Sequence, residues 1–311
     1  MQSEYLEKLG ERSGLFLGFN LAGDPVCRRD NMQVAVWSNG QWVPIGTNGI
    51  PASNIAQDAQ GNYYTSNNIH AFSCSDVNST WDSLKILWPN NGTSLTSNGH
   101  GDVVARVQVD DTFHYFRKLA NDTSWMRFRS INLSADTAYL MEPFYLCDNG
   151  KLYFKNEQSS LIQVCMDIHT GTYSYVGNPD LPNDLQIRPS YQINPDGTSF
   201  GINGLKILRF IPGNMPNYIQ NEGTYELLYD EANVSGRSFE SLSVQPDGSF
   251  KALVACLAGA GIPVHSSAVT GKLGTPKLNI IKHNRGLASL ITNRQGQTYL
   301  NEYDTALYRW K

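Results

Sequence analysis

The strongest constraint on this chain is a turn that returns six times. Asp58-Ala59-Gln60-Gly61 precedes Asn62-Tyr63-Tyr64, and Asp110-Asp111 precedes Phe113-His114-Tyr115-Phe116. Asp148-Asn149-Gly150 precedes Leu152-Tyr153-Phe154, Pro195-Asp196-Gly197 precedes Ser199-Phe200, and Pro246-Asp247-Gly248 precedes Ser249-Phe250. Arg294-Gln295-Gly296 then precedes Thr298-Tyr299-Leu300. A glycine after Asp, Asn or Gln supplies the positive φ of a tight hairpin, and the aromatic strand behind it suits a half-buried pleated surface.

From Gly61 to Gly296 these turns recur about every 47 residues, within the roughly 40 to 50 residues of a four-stranded propeller blade. A stacked solenoid needs Leu-rich or helical repeats of other lengths. The expected fold is therefore all-β, one domain over residues 1–311: a β-propeller of about seven four-stranded blades, with six as the alternative if the short third unit is lost. The units fall at about 14–49, 50–97, 98–137, 138–180, 181–228, 229–276 and 277–311. In the first, Val34 to Trp37, the turn Ser38 to Gln41, and Trp42 to Ile45 read as an outer hairpin.

The last unit ends on Ala306-Leu307-Tyr308-Arg309-Trp310, one strand short. Propellers remove such an exposed edge by borrowing a strand from the opposite terminus, so a segment before residue 33 is expected to pair with Ala306 to Trp310. Within the arm 1–13, Ser3 to Leu9 reads as a short helix, with Ser3 as N-cap and Leu6 and Leu9 on one side.

Cys74-Ser75-Asp76-Val77-Asn78-Ser79-Thr80-Trp81 resembles the Asp-box hairpin of sialidase-like propellers, Ser-x-Asp-x-Gly-x-Thr-Trp, with Cys for the Ser and Asn for the Gly. The resemblance covers eight residues and implies structure, not chemistry: the Asp ties the turn to backbone and the Trp packs into the blade. A sialidase would add an arginine cluster, for which Arg106, Arg117, Arg188 and Arg285 are candidates, a Tyr-Glu nucleophile pair and an Asp acid. The Arg-Ile-Pro element that opens many sialidases is absent, and Arg209-Phe210-Ile211-Pro212 is neither that motif nor in its place.

Other signals are bland. Cys27, Cys74, Cys147, Cys165 and Cys256 are scattered and odd in number, as core thiols are and disulfide frameworks are not. Cys165 and His169 have a ligand-like spacing but flank a predicted hairpin, and His70, His100, His114, His265 and His283 are dispersed, so no metal is expected. Gly259-Ala260-Gly261 lies in a loop and opens no helix, no phosphate or dinucleotide fingerprint occurs, and no cofactor is expected. Trp37, Trp42, Trp81, Trp88 and Trp125 gather in the first three units, where filling gaps between blades is the leading reading and stacking on sugars the second.

A net charge of -4 provides no field for phosphates or anionic lipid. No apolar run approaches the ~18 residues of a membrane span, and Met1 to Ser13 is too polar for a signal peptide. The chain is thus expected to be made in the cytoplasm, without nucleic acid or membrane insertion. Acceptor sequons at Asn78, Asn91, Asn121, Asn132 and Asn233 then carry little weight.

Fold does not give function, and no residue is assigned a catalytic or binding role. The preferred expectation is a non-enzymatic recognition or assembly module, such as a phage-tail or viral receptor-binding structural protein, because the sequence is Asn-rich, turn-dense and lacks a convergent catalytic motif. Its partners would be proteins in a larger assembly or a cell-surface glycan. A lectin-type propeller is one alternative. A propeller glycoside hydrolase or lyase is the other, with Asp24, Asp102, Glu142, Arg188 and Glu240 near the channel ends.

Overall fold

The computed structural model describes residues 6–10, 14–67, 69–84, 91–132, 142–155, 164–175, 188–194, 198–211, 224–230, 237–257, 263–284, 288–302 and 306–311. Among them there are no helices, and so none long and apolar enough to cross a membrane. The strands form seven four-stranded antiparallel sheets arranged as a β-propeller.

The chain opens with β1 (Leu6–Lys8). Blade 1 is β2 (Leu15–Phe19), β3 (Pro25–Arg28), β4 (Val34–Ser38) and β5 (Gln41–Pro44). Blade 2 is β6 (Ala56–Gln57), β7 (Tyr63–Ser66), β8 (Ala71–Cys74) and β9 (Asp82–Ser83). Blade 3 is β10 (Asn91–Ser97), β11 (Val103–Val109), β12 (Thr112–Lys118) and β13 (Met126–Asn132). Blade 4 is β14 (Glu142–Leu146), β15 (Lys151–Lys155), β16 (Val164–Asp167) and β17 (Tyr173–Tyr175). Blade 5 is β18 (Arg188–Ile193), β19 (Ser199–Asn203), β20 (Lys206–Ile211) and β21 (Thr224–Asp230). Blade 6 is β22 (Arg237–Val244), β23 (Ser249–Leu257), β24 (Pro263–Lys272) and β25 (Thr275–Asn284). Blade 7 is β26 (Ala288–Thr292), β27 (Thr298–Glu302) and β28 (Ala306–Trp310), completed by β1.

The first strand of each blade is innermost: β10 packs on β14, β18 on β22, and β22 on β26. Apolar side chains fill the wedges between blades. Val104, Phe113, Tyr115 and Ile131 of blade 3 meet Leu146, Leu152, Phe154 and Met166 of blade 4. Phe200, Ile202 and Ile207 of blade 5 meet Phe239, Leu242, Phe250 and Val254 of blade 6. Each sheet therefore buries both faces, the arrangement that favours the aromatic and β-branched strands read from the sequence.

Ring closure follows the expectation. Leu6, Glu7 and Lys8 pair antiparallel with Trp310, Arg309 and Tyr308. The Leu9 amide donates to the Leu307 carbonyl at 2.8 Å. The helix expected over Ser3 to Leu9 is not formed at its described end: residues 6–8 are strand, because the open edge of β28 offers those backbone groups a ladder. Ser3 lies outside the described residues. Hydrogen bonds from Arg309 and then Lys311 hold the Glu7 carboxyl below its ordinary range.

The third unit also differs from its reading. The Asp110–Asp111 turn, where Asp110 has φ 50°, joins the second and third strands of blade 3 and not the first and second. The true counterpart of the other five turns is Asn98 to Asp102, and β10, placed in the preceding unit at 50–97, is the innermost strand of a complete third blade. Similarly β25 is the fourth strand of blade 6, although the expected unit boundary at 276/277 falls at its start.

Candidate functional site

Among the described residues, six blades join their first and second strands with one type of three-residue turn. The flanking residues pair backbone to backbone, as in Asn20 with Asp24, Asp58 with Asn62, Asn98 with Asp102 and Asn293 with Gln297. Six described turns put a positive-φ glycine just before the second flank, and its amide donates to the carbonyl of the first. That is a type I turn closed by a left-handed residue, a conformation glycine adopts without steric cost. In four turns the first residue's side-chain oxygen also accepts the second flank's amide: Asn20, Asp58, Asn98 and Asn293.

These turns ring one mouth of the central channel, and their polar groups link one blade to the next. Asn293 Nδ2 donates to Gly23 O at 2.8 Å, the Leu21 amide to Gln57 Oε1 at 2.9 Å, and the Gly99 amide to Asp148 Oδ1 at 2.7 Å. Arg294 does more. From the blade 7 turn it reaches blades 3 and 4 on the opposite side of the ring, where Nη1 meets Asp148 Oδ1 at 3.0 Å. Nη2 donates to Ser97 O at 2.7 Å and to Leu146 O at 2.5 Å, and the guanidinium stacks 4.6 Å from the Tyr145 ring centroid. A planar cation with five donors is suited to such a bridge.

Beside this rim, blades 2 and 3 part to form a cleft of about 540 Å³. Its floor is a buried ion pair. Lys118, at the end of β12, donates to Asp58, to Gln60 Oε1 at 3.1 Å and to Tyr64 Oη at 3.3 Å, which uses all three ammonium protons. Tyr64 Oη in turn donates to Asp58 Oδ2 at 2.8 Å. Burial would raise the Asp58 carboxyl, but hydrogen bonds from Lys118, Asn62 and Tyr64 outweigh it and leave it below the ordinary carboxylate range. The Trp125 ring stands 5.4 Å from that of Tyr64 at 88° and forms one wall, while the exposed Asp82 of β9 and its register partner Ser73 form the other.

Apart from this cleft, the residues singled out in the sequence are structural or dispersed. The Asp-box segment is the hairpin between β8 and β9, as the resemblance implied. Asp76 Oδ1 accepts the Asn78 amide at 2.7 Å, and the Cys74 thiol donates to Asp76 O at 3.0 Å where the family has a serine. Asn78 is not among the positive-φ residues, so the glycine is dispensable there. Trp81 is buried and donates Nε1–H to Ile45 O of the preceding blade at 2.8 Å. The box is thus a staple between blades 1 and 2.

Arg106 and Arg117 lie on β11 and β12, where they stack on Phe113 and Phe128. Arg188 begins β18, and Arg285 lies outside the described residues. Asp24 and Asp102 sit on the rim of turns. Glu142 and Arg188 begin the innermost strands β14 and β18, at the other mouth, and Glu240 lies within β22. A five-residue strand spans about 17 Å, so Asp24 and Asp102 are set apart from Glu142 and Arg188.

Among the histidines, His100 is in a rim turn. His114 bonds Ser130 on blade 3, His265 and His283 are on β24 and β25, His70 is in the turn before β8, and His169 lies against Gly150. Cys165 is buried in β16, and among the described residues no three His, Cys, Asp or Glu side chains gather as a metal site. Trp37 and Trp42 pack edge to face at 5.2 Å. Trp88, Gly259-Ala260-Gly261 and Asn233 lie outside the described residues, as does the side chain of Cys256.

No protein-family pattern matches the chain, and no curated protein matches it in sequence. Solved structures do match its fold. Oligogalacturonate lyase from Vibrio parahaemolyticus superposes with a TM-score of 0.61 at 11% identity, covering 99% of this chain and 96% of that one. YCF48 bound to a D1 peptide gives 0.60 at 13% identity over 100% and 96%. The WD40 β-propeller domain of Doa1 gives 0.57 at 10% identity over 99% and 97%. Identities this low establish the shared propeller fold and nothing finer.

Proposed function

We propose that this chain is a non-enzymatic recognition or assembly module, a rigid ring that presents loops and clefts to a partner in the way of a receptor-binding or tail component of a phage or virus. The observation that carries the reading is the Arg294 bridge. Its guanidinium occupies the described mouth of the channel and is engaged by Asp148, Ser97 O, Leu146 O and Tyr145, so its charge serves to tie blades together and not to grip a reacting group. The separation of Asp24 and Asp102 from Glu142 and Arg188 argues in the same direction, since acid–base chemistry needs its groups within hydrogen-bond reach of one proton.

YCF48, a ring of the same fold, is seen with a bound peptide, which provides a precedent for peptide capture on this scaffold. The oligogalacturonate lyase is a precedent for the enzyme alternative. The test is binding of the purified chain to whole cells, with native mass spectrometry of its complexes and an Arg294→Ala variant in parallel. Saturable binding that survives the substitution supports the module. Turnover of a glycan without stable binding overturns it.

A further inference from the structure

We infer that the cleft between blades 2 and 3 binds a neutral saccharide. Its volume of about 540 Å³ falls within the roughly 300 to 1,000 Å³ of small-ligand sites. The charge balance selects the ligand class. Lys118 is spent on Asp58, Gln60 and Tyr64 and has no proton left for a phosphate or carboxylate, and the remaining ionised group on the wall, Asp82, repels anions.

What the walls do offer is hydroxyl chemistry. The side chains of Asp82, Ser73 and Thr123 make no hydrogen bond to any described residue, so their acceptors and donors face the cleft unspent. A carboxylate with two free oxygens accepts from two adjacent hydroxyls, and serine and threonine hydroxyls both give and accept. Trp125, braced against Tyr64, supplies an apolar plate for the C–H face of a pyranose ring. The floor does not need to reorganise: Lys118 and Asp58 are locked by hydrogen bonds to each other, to Gln60, to Asn62 and to Tyr64, and a preorganised site loses less on binding.

This inference stands on the cleft alone and not on the channel bridge that supports the module, and its test separates the two. Uncharged mono- and disaccharides are titrated by calorimetry, and a glycan array compares neutral, sialylated and amine-bearing glycans on the full chain, on Asp82→Asn and on Trp125→Phe. Because Asp82 is exposed, Asp82→Asn retains the fold and its melting temperature serves as the control. The expected result is saturable binding of a neutral sugar, free or as a glycan terminus, weakened at least about tenfold by Asp82→Asn and measurably by Trp125→Phe. Absence of neutral-sugar binding, preference for an acidic or amine-bearing glycan, or affinity untouched by both substitutions overturns it. Cell binding that persists in Asp82→Asn would then leave the module reading intact.

Discussion

Arg294 and Asp148 are far apart in the chain and belong to blades on opposite sides of the ring, yet Nη1 lies 3.0 Å from Oδ1. In a propeller most contacts link neighbouring blades, so a side chain that spans the channel ties down motions that nearest-neighbour packing leaves free. The pair is partly solvated, with side-chain exposures of 20% and 30%. Its ion-pair energy is therefore discounted toward the ~1 kcal/mol of screened pairs, and the two carbonyls and Tyr145 add to it.

Arg294→Ala is expected to lower stability by about 1–2 kcal/mol. Amide exchange should rise selectively in the turns after Ser97 and Leu146, whose carbonyls lose a donor. Hydrogen exchange read by mass spectrometry distinguishes this pattern from a uniform loss.

Lys118→Met is expected to cost more, about 3–5 kcal/mol, because it strands a buried Asp58 carboxylate. Removing both charges in Asp58→Asn with Lys118→Met should recover part of that loss. Urea unfolding of the two single variants and the double variant measures the coupling.

The same pair gives a pH dependence. Asp58 has a lowered pKa in the folded chain, so its contribution is complete above the unfolded carboxylate value of about 3.9. It is lost as pH falls below that value through the folded one, where the native state must take up the proton. Stability followed below about pH 4 should therefore fall less steeply in Asp58→Asn than in the parent.

At the junction of blades 1 and 2, Gly46 has φ 77°, and a Cβ there would lie 2.5 Å from Trp81 Cδ1. Gly46→Ala is expected to cost about 1–3 kcal/mol from backbone strain and overpacking. Trp81→Ala should cost about 3–5 kcal/mol through the cavity it leaves. Thermal unfolding of both, with cleft binding measured on the folded fraction, shows whether the staple is structural alone.

Removing residues 1–9 deprives β28 of its outer partner and exposes an unpaired edge. The expected outcome is a lower unfolding temperature together with concentration-dependent association. Size-exclusion chromatography with light scattering checks it.

Local patterns in the sequence determined the blade. Turns with a glycine directly after Asp, Asn or Gln, followed by aromatic strands, require only neighbours in the chain, and from them the repeat, the propeller and the unpaired edge of the last strand were all legible. The Asp110–Asp111 misreading shows the limit of such local patterns. A short Asp turn serves equally between strands two and three, and only pairing of β10 with β11 identifies which hairpin it closes.

The site was not legible for a related reason. No motif marks Lys118, Asp58 lies in a turn, and 60 positions separate them. Arg294 reads as turn filler. Their roles depend on which blades the ring brings side by side and which it sets across the channel, distances that arise only when the ring closes and that no local periodicity encodes.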